Sequence, residues 1–291
     1  MKKTLSLILI ATFMCTAMLF LSSCDNNSVN SSPTGTATEN ASPDDTQTAA
    51  GGKLICGITE FEPMNFRDAN GNWTGFDTEF ALLVGEKLGM EVEFQMIDWT
   101  NKFAELNSGA ITMIWNGFTA NTTEGDTGIQ RIDLCDMTYS YMLNQQCVVV
   151  KAERLEDFME EDDLLGKTAA AESGSAGETE AIRLVGDSGE VVGAAAQINT
   201  FLEVKSGASD FAVVDVLLAE RITESEDYAD LAIAPIELDF EVYAIGLIDG
   251  SELTALINKA MLELYEDGTL TQLAEKYGLE NNLVIDTGYG G

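Results

Sequence analysis

The sequence predicts an α/β protein built as two lobes with mainly parallel sheets, and three observations carry that expectation. Strand-like and helix-like segments alternate from Lys53 onward, the order that parallel βαβ units require. Residues 147–150 and 211–214 are continuous apolar runs rather than alternating ones, as expected of strands covered on both faces. The part able to bury a core starts near Lys53 and leaves about 240 residues, large for one core and comfortable for two.

The elements follow in order. Residues 54–59 form a short apolar strand candidate. Asp77 stands as an N-cap before Phe80, Val84 and Leu88 at helical spacing, with Gly89 as the stop. Val92, Phe94 and Met96 alternate as a strand. Residues 102–107 read as a short helix, 111–115 as a buried strand, and the runs at 147–150 and 211–214 as two more strands. Helices are expected from Glu178 and over 216–222. Near the end Leu253, Leu256, Ile257, Ala260, Met261 and Leu264 make an amphipathic stripe. Gly268 closes that helix, and Thr269-Leu270-Thr271-Gln272 reads as a capping box opening the last one. No internal repeat is present.

Ahead of the folded part, Met1-Lys2-Lys3 is a short basic segment, residues 4–21 are almost wholly apolar, and Leu21-Ser22-Ser23-Cys24 ends the run. That order reads as a cleaved export signal over residues 1–23. The box resembles the lipobox of bacterial lipoproteins, which implies a mature chain beginning at a diacylated (palmitate-type) Cys24. The alternative is an uncleaved anchor, since about 18 apolar residues barely span a bilayer. Either way the protein is expected outside the cytoplasm, on a membrane surface. Residues 25–52 are dominated by Asn, Ser, Thr, Ala, Asp, Pro and Gly around a lone Val29, too polar to bury a core. As a flexible coil, the tether 24–52 would hold the folded part roughly 30 Å from the membrane.

Composition narrows the partners. Against 49 Asp+Glu stand 15 Lys+Arg, a formal charge of −34 that becomes −36 once Lys2 and Lys3 leave with the signal. Nucleic-acid binding needs a basic footprint that this chain lacks. An anionic surface is also repelled by anionic lipid, so acyl chains rather than charge would hold it to a membrane. The chain has no His, which removes a Ser-His-Asp or Cys-His site and any His-ligated metal. Of five Cys, Cys15 and Cys24 belong to the signal region, leaving Cys56, Cys135 and Cys147. An odd number forms no complete disulfide framework; a Cys135–Cys147 bridge stays open, and beside apolar residues all three read as small buried filler. The acidic run at 156–163 lacks EF-hand spacing and its turn Gly, and reads as a solvated helix face. No metal and no cofactor are expected.

Four separated segments then point to one family. Gly71-Asn72-Trp73-Thr74-Gly75-Phe76-Asp77 resembles the G-x-x-x-G-F-D signature of bacterial extracellular solute-binding proteins, family 3, the amino-acid receptors of ABC importers. Ile114-Trp115-Asn116-Gly117-Phe118-Thr119 is similar to that family's strand and loop before its clamp arginine. Asp136-Met137-Thr138-Tyr139-Ser140-Tyr141 resembles its D-F-S-x-P-Y segment, with Ser140 where Pro is usual. Ala244-Ile245-Gly246, with the helix ending Glu266-Asp267-Gly268-Thr269-Leu270, is similar to its C-terminal pattern. The resemblance covers residues 53 to 280. It implies a two-lobed, type II periplasmic-binding-protein-like fold whose lobes are joined by two hinge strands, near 145–151 and 238–242. Residues 53–147 plus 243–291 would form lobe 1, and 148–242 lobe 2.

A zwitterionic amino acid needs a cation and N–H donors for its carboxylate, and a carboxylate plus carbonyls for its ammonium. Arg suits the first task through its bidentate fork. Arg131 stands ten residues before Tyr141, the spacing that the resemblance gives the clamp arginine. Residues 120–130 make a longer connection to it than the family's. Ser173-Gly174-Ser175-Ala176-Gly177 precedes a helix, whose N-terminal N–H groups and dipole suit an anion; the resemblance gives Ser175 and Ala176 the ligand carboxylate. Asp215 ends the apolar run 211–214 at the C-terminal edge of a strand, where α/β ligands bind. By resemblance Asp215 receives the ammonium, completed by Thr119 and the Gly117 carbonyl, and Phe61 and Trp99 sandwich the side chain. An N-cap for the following helix is the plainer role for Asp215. Trp115, inside a buried strand, reads as core. Glu60, Glu62 and Asp98 fall near this pocket, in a chain with acids everywhere.

The sequence thus reads as an extracellular, lipid-anchored, monomeric amino-acid-binding protein. It would capture a free amino acid and deliver it to the permease of an ABC importer, with no catalysis of its own. One alternative is an enzyme on the same fold, a dehydratase or peptidoglycan lyase, for which a cleft Glu acting as acid beside Arg131 would be the mark. Another is a sensor module for a separate receptor.

Overall fold

The computed structural model describes residues 52–288. The signal 1–23, Cys24 and the tether up to Gly51 lie outside the described residues. β1 (Lys53–Ile58) comes first, then α1 (Phe76–Leu88), β2 (Glu91–Met96), α2 (Lys102–Ser108) and β3 (Met113–Thr119). A hairpin of Thr123–Glu124 with Ile129–Gln130 follows, and then the long β4 (Ser140–Lys151). The middle of the chain is β5 (Thr168–Glu172), α3 (Ala176–Val185), β6 (Glu190–Ala194), α4 (Gln197–Ser206), β7 (Phe211–Asp215), α5 (Val216–Thr223) and β8 (Leu231–Ile233). β9 (Phe240–Leu247), α6 (Glu252–Glu266), α7 (Thr269–Tyr277) and β10 (Leu283–Asp286) close it.

The main sheet runs β6-β5-β7-β4-β9-β3-β1-β2, with β8 and β10 also paired to β4. Both ends are parallel: β1 pairs with β2 and β3, and β5 with β6 and β7. β3 and β7 are buried along their whole length, which is why they carry apolar residues on both faces, interrupted only by the buried polar Asn116, Thr119 and Asp215. β4 and β9 join the halves as antiparallel strands. β4 pairs with β9 over residues 142–145 and changes partner to β7 from Gln146 onward. Among the described residues no helix is long and apolar enough to cross a membrane.

Beneath the β1 half, Phe80 stands edge-on to Trp115 at 5.1 Å, and Tyr141 stacks on Phe76 at 6.1 Å. Each such pair adds about 0.5–1.5 kcal/mol beyond its buried area. Trp115 is core, as its strand suggested. A second core gathers Val148, Val150, Phe158, Leu184 and Phe211 in the β5 half.

Three local expectations are corrected, and one alternative left open is closed. Asp77 is not an N-cap: α1 starts at Phe76 behind Gly75. At Gly75 φ is +115° and a Cβ would lie 2.2 Å from the Met64 carbonyl oxygen, so only glycine fits. Thr269 opens no capping box, because the N-cap of α7 is Gly268 in the left-handed region with no side-chain bond. Residues 156–163 are not a helix face but parts of two short 3-10 turns, Ala152–Asp157 and Glu161–Leu164, around buried Phe158. Cys56, Cys135 and Cys147 are all free and buried, so the Cys135–Cys147 bridge is not formed.

Candidate functional site

β3, β5 and β7 end at Thr119, Glu172 and Asp215, and these C-terminal edges face one small cavity. Trp99, Gly117, Thr119, Arg131, Ser175, Ala176 and Asp215, all expected from the sequence, line it together with Asn116, Glu172 and Gln197. Phe61 does not. It is buried behind the wall, edge-on to Tyr243 with ring centres 6.4 Å apart.

The wall from the β1 half is set by Gly117. Its φ is +54° and a Cβ there would fall 2.4 Å from the Phe61 ring, so the backbone can approach the cavity only because the side chain is absent. The Gly117 N–H donates to the Asp77 carboxylate at 2.7 Å. Burial pushes Asp77 up to about 7. Asn116 ties β3 to β1 through Thr59, accepting from its backbone N–H at 3.0 Å and its hydroxyl at 2.8 Å. The Thr119 hydroxyl donates to Glu241 Oε2 at 3.1 Å.

Arg131 is only 1% exposed and spans the two halves. Nε donates to Glu124 Oε2 at 2.9 Å, Nη1 to the Thr119 carbonyl at 3.1 Å, and Nη2 to the Gly174 carbonyl at 3.2 Å. A guanidinium has five N–H groups, so two remain for a ligand. Its Cζ lies 4.9 Å from the centre of the Phe118 ring, a cation–π contact. The lengthened connection before Arg131 folds as the hairpin 123–130, and it carries Glu124 to both Arg131 and Lys102. Lys102, fully buried, also donates to the Gly174 carbonyl at 2.8 Å. Burial and then the neighbouring Arg131 lower its ammonium to about 8.

From the β5 half, Ser175 is the N-cap of α3, its hydroxyl accepting from the Glu178 N–H at 3.0 Å. The Ser175 N–H is spent on the Glu172 carbonyl at 3.1 Å. With the Glu178 N–H also taken by the Ser175 hydroxyl, this helix start presents the N–H groups of Ala176 and Gly177.

Asp215 forms no cap bond with α5. Its Oδ1 accepts from Tyr243 at 2.7 Å, from Gln146 Nε2 at 3.0 Å and from Asn144, and its Oδ2 accepts from Gln197. Asn144 and Gln146 on β4 also donate to Glu241 Oε2 on β9, at 2.9 and 3.0 Å. Two carboxyls thus share two amides where the strands cross between halves. Burial raises both, and Glu241 reaches about 7 with the Asp215 charge adding to it.

No motif marks Glu172 in the sequence, although it ends an apolar strand just as Asp215 does. It is 3% exposed, and its Oε1 accepts no hydrogen bond. Burial, and then the Asp215 charge, lift it to about 8. Glu60, Glu62 and Asp98 do not line the cavity. Glu60 is exposed 3.5 Å from Arg67, and Asp98 accepts from Thr100. Among the described residues no cluster of Cys, Asp and Glu is arranged to hold a metal.

The model for bacterial extracellular solute-binding proteins, family 3, matches residues 54–280. The arginine-binding extracellular protein of Bacillus subtilis (strain 168) is 27% identical over 228 residues, covering 77% of this chain and 86% of that protein. An L-cystine-binding protein of the same organism is 27% identical over 283 residues, covering 95% and 97%. Among solved structures, an ancestral arginine-binding protein bound to arginine superposes with a TM-score of 0.71 at 30% identity, covering 78% of this chain and 98% of that one.

Proposed function

The chain belongs to the bacterial extracellular solute-binding proteins, family 3, and from that premise we propose that it captures a free amino acid between two lobes and delivers it to an ABC importer. The observation that carries the reading is the opposed pair of groups across one cavity. Arg131, with two N–H groups to spare, and the α3 N-terminus suit a carboxylate; Asp215, Thr119 and the Gly117 carbonyl suit an ammonium. Trp99 offers an apolar face to the side chain, with Phe61 supporting the wall behind Gly117. Of the described residues, 53–147 and 243–288 would form lobe 1 and 148–242 lobe 2. β4 and β9 act as the hinge, and a ligand touching both lobes favours the closed form through contacts it lacks in the open one.

A thermal-shift screen of the purified protein against the common amino acids tests this, since a ligand that binds only the folded state raises its melting temperature. At least one amino acid raises it; no shift with any of them rejects the reading. A lipid anchor on Cys24, after removal of residues 1–23, would keep the receptor at the outer face of the cell membrane. Cys24→Ala then releases the protein or leaves its signal uncleaved, and a processed, membrane-bound Cys24→Ala variant rejects the anchor.

A second reading, an enzyme on this fold, has Glu172 in its favour, a carboxyl raised to about 8 in the same cavity as Arg131. Recovery of the bound amino acid unchanged in mass after prolonged incubation favours the receptor; a new product favours the enzyme.

A further inference from the structure

We propose that Glu172 reads the side chain of the bound amino acid, and that this side chain ends in a cationic N–H donor. The inference rests on the amino-acid reading above and narrows it to basic amino acids.

The observation behind it is a buried acceptor with nothing to accept. Glu172 Oε1 has no hydrogen-bond partner, and the residue lines the cavity at 3% exposure. The Thr59 hydroxyl lies nearby, but its proton goes to Asn116 Oδ1 at 2.8 Å. An unpaired carboxylate in such a place is costly, and a donor brought by the ligand removes the cost.

Charge decides what kind of donor. Five carboxyls, Asp77, Glu124, Glu172, Asp215 and Glu241, lie in or just behind the cavity against two cations, Arg131 and Lys102. Both cations are engaged by Glu124 and by the Gly174 carbonyl. A zwitterion adds no net charge, so with a neutral side chain bound Glu172 and Glu241 stay protonated, as burial favours. A ligand carrying one more positive charge lets Glu172 ionise and pair with it. Trp99 lines the same cavity, and its ring suits both the apolar stem of a basic side chain and its cationic end. The strongly anionic surface, with a formal charge of −34, draws cations toward the cleft.

Calorimetry on the purified protein, freed of co-purified ligand by unfolding and refolding, tests this with arginine, lysine, glutamine, leucine and glutamate at pH 8. Arginine or lysine should bind at least about tenfold more tightly than the other three. Glu172→Gln should weaken the basic ligand roughly 30-fold, as for loss of one partner of a desolvated charge pair. It should change glutamine binding by less than about threefold. A neutral or acidic amino acid outranking both basic ones overturns the inference, as does an equal loss for every ligand in Glu172→Gln. The wild-type ranking decides alone if that variant does not fold. No binding of any amino acid by the wild type overturns the functional reading itself, and the inference with it.

Discussion

Glu124 holds Arg131 through Nε at 2.9 Å and pairs at the same time with fully buried Lys102. The two cations meet at one carbonyl, that of Gly174, on the other side of the cleft. The hairpin carrying Glu124 therefore helps hold Arg131 in place, because without its carboxylate two buried positive charges face each other.

Removing that carboxylate should be felt as instability as well as weak binding. Leaving buried charges unpaired costs several kcal/mol, less where the site is partly wet. The Glu124 side chain is 19% exposed, so Glu124→Ala is expected to lose on the order of 2 kcal/mol in denaturant unfolding. A loss under about 0.5 kcal/mol, the range of ordinary surface changes, would place the hairpin outside the clamp.

Acidity offers an independent check. Glu172 is raised to about 8, and Glu241 and Asp77 to about 7, each mainly by burial. Each keeps its proton in the folded state at a pH where the unfolded chain has lost it. Their stabilising effect is complete below the ordinary carboxylate range and is lost as pH rises through 7 and 8. Lys102, lowered to about 8, acts in the opposite sense only above that value. The melting temperature of the ligand-free protein should thus fall between pH 5 and pH 8. A flat or rising profile over that range would show that these carboxyls are not buried in the free protein.

Closure about β4 and β9 should appear in solution. Small-angle scattering is expected to give a smaller radius of gyration with saturating amino acid than without it, because the ligand favours the form in which Arg131 and Asp215 face one cavity. A radius that does not change argues against a ligand-driven hinge.

Much of this was legible along the chain. Arg131, Thr119, Ser175 and Asp215 fall at the ends of strands or the start of a helix, positions that short motifs mark, and the structure brings them to one cavity. Glu124, Lys102 and Glu241 were not legible, because in a chain with 49 acidic residues nothing local separates a buried charge from a solvated one. Their burial is decided by partners far away in sequence, as with Lys102 and Gly174. The helix starts failed for the opposite reason. Asp77 and Thr269 carry sound capping signals, but Gly75 and Gly268 take the cap positions, and Asp77 is drawn instead to the Gly117 N–H.

As a receptor, the protein would hold both ends of an amino acid in one cavity, the carboxylate at Arg131 and the ammonium at Asp215. Calorimetric titration of the best ligand from the screen into the wild type, Arg131→Ala and Asp215→Ala measures both contacts. Each substitution removes one partner of a desolvated charge pair, a loss of about 2–5 kcal/mol, and should weaken binding roughly 30-fold or more while the protein still folds. A change of less than about threefold in folded Arg131→Ala would mean that Arg131 does not hold the carboxylate.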